Sequence, residues 1–266
     1  MSKYTDLLYE VADGVATITL NRPDRLNAIS GPMLRSFSEA LRDSDLDQQV
    51  RVIVITGAGR GFCAGLDMKD AAAGTGIGGN GANLANTRFD LHGSPPMVLH
   101  STDKPVICAL NGPAAGYGMD LALGCDIRIA SRDAKLAAVF TKRGVLPESG
   151  GSWLLPRLIG WAKAAEVAFR GQVLGAEEAL AIGLVNSVVE PDELMPVTME
   201  MAAEIAANAP LAVQATKRMM RLGLEETFEA NVHHTFMQLL PLFQSEDFRE
   251  GMAAFLEKRP AEFKGR

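Results

Sequence analysis

The sequence predicts an α/β fold with a helical C-terminal part, and three observations carry that prediction. Short apolar runs at 50–56 and 105–110, rich in β-branched residues, each end in a glycine-rich turn, as buried parallel strands do. Helical periodicity separates such runs in the first half of the chain. From Ser149 onward the pattern is mainly helical, with 185–189 the one clear exception. With 266 residues, 47% of them hydrophobic, the chain can bury a large core in one or two domains.

Residues 8–20 read as two short strands around Asp13-Gly14, a hairpin turn signal. Asn21-Arg22-Pro23-Asp24 breaks the pattern. A helix follows over 31–42, with Met33, Leu34, Phe37 and Leu41 on one face and Ser30 as its cap. The strand at 50–56 ends at Gly57-Ala58-Gly59-Arg60-Gly61, and the strand at 105–110 turns at Asn111-Gly112-Pro113. A helix of small residues is expected from Gly116 to Gly124, then strands at 126–130 and 135–139. Helices are expected at 153–159, 162–169, 176–181 and 192–207, and from Leu211 into the tail. Five of the eight residues from 74 to 81 are glycine, so 71–83 reads as a loop outside the core. A tolerated insertion and a flap over a pocket are both open readings of it.

Composition narrows the function. A net charge of −6 argues against nucleic-acid binding, which leaves a basic footprint. No run of eighteen apolar residues exists, so no membrane span is expected. Residues 1–10 carry Lys3, Asp6 and Glu10 without an apolar stretch, which is not a secretory signal. Cys63, Cys108 and Cys125 are isolated, so neither a disulfide framework nor a zinc site is indicated, and a cytoplasmic location is expected. His233 and His234 are adjacent, which on a helix separates them by about 100°, so no metal site is expected.

Several familiar sites are absent. Gly57-Ala58-Gly59-Arg60-Gly61-Phe62 has Phe62 where a dinucleotide fingerprint needs its third glycine. There is no phosphate loop, and no serine sits in a nucleophile elbow. Two glycine-rich strand ends remain, Gly61-Phe62-Cys63-Ala64-Gly65-Leu66-Asp67 and Asn111-Gly112-Pro113-Ala114-Ala115-Gly116-Tyr117-Gly118-Met119-Asp120. Both should open at the same sheet edge, where α/β folds place ligands. Small residues there leave N–H groups free, and two N–H groups converging on one oxygen form an oxyanion hole. Two tight turns that need glycine for steric reasons are the other reading.

A third segment, Leu146-Pro147-Glu148-Ser149-Gly150-Gly151-Ser152-Trp153, puts a carboxylate where a helix begins. Glu148 either stabilises that helix N-terminus or acts as a general base in an apolar pocket formed by neighbours such as Trp153 and Leu146.

Together these segments resemble the enoyl-CoA hydratase/isomerase (crotonase) family. Leu20-Asn21-Arg22-Pro23 with Leu26-Asn27-Ala28 resembles its N-terminal signature. The two glycine-rich segments resemble its oxyanion-hole segments. Leu154-Leu155-Pro156-Arg157 and the tail at 251–264 fit as well. The resemblance implies a crotonase-like ββα spiral core over 1–200 that binds acyl-CoA. It also implies a helical trimerisation region over 201–266, in a homotrimer or homohexamer. By position the oxyanion donors would be the backbone N–H groups of Ala64 and Tyr117. Where the family usually has glycine this chain has Tyr117, whose ring is expected to crowd the acyl pocket along with Phe140 and the glycine-rich loop. Arg25, Leu26 and Ala28 match the path of the CoA pantetheine and phosphates. Leu66, Asp67 and Met68 match the stretch near the adenine, Asp67 more as a structural group. Phe255 and Lys258 resemble tail residues that reach CoA, in some members from a neighbouring subunit. No cofactor is implied beyond the coenzyme A of the substrate.

The departures bear on the reaction. Typical hydratases carry glutamates at the positions of Asp120 and Phe140, so here one acid is shortened by about 1.5 Å and the other is lost. Glu148 stands where some family isomerases place a single acid/base, and the run around it resembles ring-type enoyl-CoA isomerases of aromatic acid degradation. Double-bond isomerisation with Glu148 as acid/base is therefore the preferred expectation. Syn hydration with Glu148 and Asp120 is the alternative. A non-catalytic RNA-binding or scaffold homologue is a remote third, opposed by the acidic charge.

Overall fold

A computed structural model describes residues 3–67, 69 and 91–266. Asp13 and Gly14 both take positive φ, 49° and 78°, the geometry of the tight hairpin that the Asp-Gly pair favours. It joins β1 (Leu7–Ala12) to β2 (Val15–Leu20), paired antiparallel. The later strands are β3 (Val52–Gly57), β4 (Val106–Leu110), β5 (Ala114–Ala115), β6 (Ile127–Ser131), β7 (Lys135–Ala137), β8 (Val173–Gly175) and β9 (Ser187–Val189). A six-stranded sheet runs β1-β2-β3-β4-β6-β9, parallel from β2 onward, and β5-β7-β8 form a small second sheet. This is the α/β core with a helical C-terminal part that the sequence predicts.

Every residue of β3 and β4 is buried, and alternate side chains go to opposite faces. Ile53, Ile55, Cys108 and Leu110 join the larger core with Met33, Phe37 and Leu41 of α1 (Gly31–Leu46). Val52, Val54, Ile107 and Ala109 face a second cluster with Leu194, Ala202 and Ala206. A continuous apolar run is what a strand covered on both faces requires.

Ser30 caps α1, its Oγ accepting from Met33 N at 3.1 Å. The helix runs four residues past the expected Arg42. The buried Lys104 Nζ donates to Ser44 O at 2.7 Å and Asp47 O at 2.5 Å, satisfying carbonyls that a helix end leaves open. That support comes from sixty residues away and has no local sequence signal. Three elements escaped the sequence reading, β5, β8 and the helix α2 (Pro95–Ser101), which begins with proline at its first position, where no N–H is needed.

The remaining helices are α3 (Tyr117–Gly124), α4 (Gly151–Ile159), α5 (Trp161–Arg170), α6 (Ala176–Ala181), α7 (Leu194–Ala206), α8 (Pro210–Leu222), α9 (Phe228–Gln244) and α10 (Glu246–Glu257). The single helical stretch expected from Leu211 is thus three helices. Thr227 and Ser245 cap the second and third, accepting from Ala230 N and Phe248 N. α7 crosses the expected boundary at residue 200 and packs on the sheet with the core. Asp126 ties α8 to the core: it accepts Val106 N at 2.8 Å and pairs with Lys217 at 2.6 Å and Arg221 at 2.9 Å. The glycine-rich segment 71–83 and Met68 lie outside the described residues.

Candidate active site

Because β3 and β4 are parallel neighbours, the segments that leave them emerge at the same sheet edge. They touch there through a parallel bridge between Cys63 and Ala114. Gly118 makes the contact possible, since a Cβ on it would stand 2.2 Å from Cys63 O. Gly65 is equally constrained: it has φ of +90°, and a Cβ there would lie 2.7 Å from Ala115 O and 3.6 Å from Tyr117 N. The backbone N–H of Tyr117, the first residue of α3, has no carbonyl within its helix to bond. It lies next to Gly65, close enough that a Cβ on Gly65 would be in contact with it.

The structure corrects the other donor. Ala64 N–H is spent on Leu26 O at 2.9 Å. The family signature at Leu26-Asn27-Ala28 folds against this segment, with Asn27 Nδ2 donating to Ala58 O and Gly61 O. One residue on, Ile29 brackets Leu66 by donating to Gly65 O at 2.8 Å and accepting from Asp67 N at 3.1 Å. In extended chain the N–H of Leu66 must then point to the opposite side. No acceptor for it is found among the described residues. The free donors are Leu66 N–H and Tyr117 N–H, a two-residue offset that glycine spacing alone did not reveal.

A cavity of about 330 Å³ opens beside α3. Of the predicted catalytic residues, Tyr117, Asp120 and Glu148 line it and Ala64 does not. Met97, Leu99 and His100 from the unforeseen α2 form one wall, and Leu121, Trp153 and Leu154 another. His100 meets the Trp153 ring edge-on at 5.4 Å, and the Arg157 guanidinium covers the same ring at 3.9 Å. Phe140 is buried at 4% exposure but is not a wall of this cavity, contrary to expectation.

The two carboxylates differ in environment. Asp120 is 2% exposed, and its Oδ2 accepts Ser149 N at 3.2 Å, with a further bond from Gly151 N–H. A Cβ on Gly151 would stand 2.0 Å from Asp120 Oδ1, so only glycine lets the start of α4 close on this carboxyl. Burial, reinforced by the charge of Glu148, pushes Asp120 up to about 7 against the pull of those two N–H groups. Glu148 lies on the exposed turn just before α4. Its carboxylate makes no hydrogen bond or ion pair among the described residues. The apolar pocket expected around it is half present: Trp153 lines the cavity, whereas Leu146 is 65% exposed because the turn stands out in solvent.

Two hydroxyls at the same place are unusual. Tyr117 Oη and Ser149 Oγ are buried with no hydrogen-bond partner among the described residues, though both residues line the cavity. Such a group costs about 1–3 kcal/mol in the free protein.

The predicted CoA-contacting residues divide into two groups. Arg25, Leu26, Ala28, Leu66 and Asp67 gather around the segment after β3. There Asp67, 6% exposed, pairs with Arg22 at 3.1 Å and reaches Arg25 at 4.0 Å. Phe255 and Lys258, at the end of α10, are not brought to this cluster or to the cavity. Phe255 is 79% exposed, and Lys258 takes a left-handed conformation just past the helix end. Met68 lies outside the described residues. All three cysteines are buried, and burial pushes the Cys63 thiol up to about 12, which suits a packing role.

The raised Asp120 has a consequence for stability. Its folded-state value lies above that of an unfolded chain, so the folded protein holds this proton more tightly. The contribution of Asp120 to stability therefore falls as pH rises from about 4 to about 7, by roughly 4 kcal/mol for a rise of this size. Urea unfolding at pH 5 and pH 8 should show a drop that is smaller in Asp120→Asn. An equal drop in both proteins would refute the assignment.

A family model described as enoyl-CoA hydratase/isomerase matches residues 10–266. The chain is 38% identical to 1,2-epoxyphenylacetyl-CoA isomerase of Escherichia coli, covering 98% of each chain. It is 36% identical to short-chain-enoyl-CoA hydratase of Clostridium acetobutylicum, again covering 98% of each. Its structure resembles the crystal structure of enoyl-CoA hydratase from Bacillus anthracis, with a TM-score of 0.91 and 32% identity. That match covers 98% of this chain and 100% of the other.

Proposed function

The chain belongs to the enoyl-CoA hydratase/isomerase family, and from that premise we propose that it moves the double bond of an enoyl-CoA thioester, with Glu148 as the acid/base. One observation carries this reading. Glu148 lines the cavity with its carboxylate uncommitted, whereas Asp120 is held by the N–H groups of Ser149 and Gly151. A single uncommitted carboxylate suffices for isomerisation. With a 3-enoyl-CoA, Glu148 takes a proton from C2 and electrons move onto the thioester oxygen. That enolate oxygen accepts from Leu66 N–H and Tyr117 N–H, each donor of this kind being worth about 3–4 kcal/mol in the transition state. Glu148 then returns the proton to C4, leaving the 2-enoyl product. Asp120 fixes the turn that carries Glu148. Arg25 beside Asp67 is suited to a CoA phosphate, and no cofactor beyond the coenzyme A of the substrate is needed.

Hydration is favoured by a different observation, the rise of Asp120 to about 7. A partly protonated Asp120 beside Glu148 offers one group to deliver a proton and one to activate water. Ultraviolet absorbance separates the two reactions. Isomerisation makes the conjugated enoyl-thioester band grow from a 3-enoyl-CoA, whereas hydration bleaches that band from a 2-enoyl-CoA. Bleaching without growth would replace the first reading by the second.

The assembly belongs to the same proposal. α9 has no buried residue in the protomer, and it leaves Phe228, Val232, Phe236, Met237, Leu240 and Phe243 exposed. An apolar surface of that extent calls for a partner, and a homotrimer or homohexamer of this chain fits the family. Light scattering is expected to give three or six times 28.4 kDa, and Phe236→Glu to lower that mass. A concentration-independent monomer would exclude it. No helix among the described residues is long and apolar enough to cross a membrane.

A further inference from the structure

Leu154-Leu155-Pro156-Arg157 is part of the family resemblance, yet nothing in the proposed reaction uses its arginine. Pro156 lies inside α4 and has no N–H, so it cannot close the helix bond back to Ser152 O. The helix is weakened beside two functional groups: the start of α4 holds Asp120, and Trp153 forms a wall of the cavity. Arg157 spans this weak point. Residues four apart share a helix face, which brings Arg157 back onto Trp153. Its Nη1 donates to Trp153 O at 3.1 Å, and its guanidinium lies 3.9 Å over the indole ring. It makes no ion pair among the described residues, and it is not itself a wall of the cavity. The same indole meets His100 of α2 at 5.4 Å, with 80° between the ring planes. Trp153 thus joins the two elements on either side of the cavity.

We infer that Arg157 is a positioning residue that acts through Trp153, stapling the indole across the proline break and holding it against His100. A cation over an indole face is attracted by the ring quadrupole, and the bond to Trp153 O fixes the guanidinium in place above it. The half-buried ring is then a rigid wall, and it gives the cavity one width. The consequence for specificity is steric: a fixed indole excludes acyl groups broader than a straight chain, whereas a ring free to change rotamer admits them. This rests on the acyl-CoA reading of the cavity.

Two readouts on the intact protein test it. The chain has two tryptophans, and Trp161 is 75% exposed, so Trp161→Phe leaves Trp153 as the one indole to observe. In that background Arg157→Ala should lower the fluorescence anisotropy of Trp153. Calorimetric titration with butanoyl-CoA and 4-phenylbutanoyl-CoA, both saturated and unreactive, gives the second readout. Arg157→Ala should raise the affinity for 4-phenylbutanoyl-CoA relative to butanoyl-CoA by about fivefold or more, the scale on which pocket shape discriminates apolar groups. A surface arginine with only a structural role would leave that ratio where it was. Unchanged anisotropy would overturn the staple, and an unchanged or lowered ratio would overturn its role in specificity. Failure of both thioesters to bind would count against the acyl-CoA reading, while the anisotropy would still decide whether Arg157 holds the indole.

Discussion

Glu148→Gln is expected to lower kcat for enoyl-CoA isomerisation by about 10²–10⁴-fold, the usual contribution of a positioned acid/base. KM should change by no more than about threefold, because the carboxylate acts on the reacting carbons and makes no ground-state anchor. The side chain is exposed on a turn and makes no hydrogen bond or ion pair among the described residues, so the unfolding midpoint should barely move. That separates a chemical role from a structural one. The steady-state rate with a 3-enoyl-CoA, read beside the thermal midpoint, checks both halves. Asp120→Asn is the necessary comparison. If Glu148→Gln keeps its activity while Asp120→Asn loses it, the acid/base is Asp120 and the uncommitted state of Glu148 has no catalytic meaning.

Gly118→Ala should cost both stability and activity. Helix propensity alone predicts the reverse, since alanine gains about 1 kcal/mol over glycine within a helix. The new Cβ, however, would stand 2.2 Å from Cys63 O and 2.9 Å from Cys63 C, which are backbone atoms of the facing segment. No side-chain rotation relieves that clash. Either α3 or the Gly61–Asp67 stretch must move, and overpacking of this kind costs about 1–3 kcal/mol. The contact is far enough inside normal separation that the clash outweighs the propensity gain. The same movement pulls Tyr117 N–H away from Leu66 N–H. A displacement of about 1 Å at a reacting site is enough to cost on the order of 10² in rate. Chemical denaturation together with kcat/KM would register both losses. A stabilised, fully active Gly118→Ala would mean that the two segments are not held as described.

The contrast between these variants shows where the sequence was readable. Glu148 is visible as a carboxylate at a helix start, and the clamp on Asp120 is not. The partners of Asp120 are Ser149 and Gly151, and their N–H groups become donors to it only once α4 packs against α3. Ala64 illustrates the same limit. Glycine spacing marks a segment with free donors, but which N–H stays free depends on Leu26 O arriving from another part of the chain.

By itself the sequence determined the central strands β3 and β4, through apolar runs rich in β-branched residues, and the hairpin, through Asp13-Gly14. It also determined the family, through several short motifs in a fixed order. These signals are local or accumulate along the chain, so a linear reading captures them. Only the tertiary structure decided the cavity wall from α2, the extension of α1 capped by Lys104, and the loss of Ala64 as a donor. It alone placed the clamp of Ser149 and Gly151 N–H groups on a carboxyl pushed to about 7. Each of these depends on groups distant in sequence meeting where water is excluded. Desolvation and hydrogen-bond competition are properties of the packed interior, and no single segment of the chain encodes them.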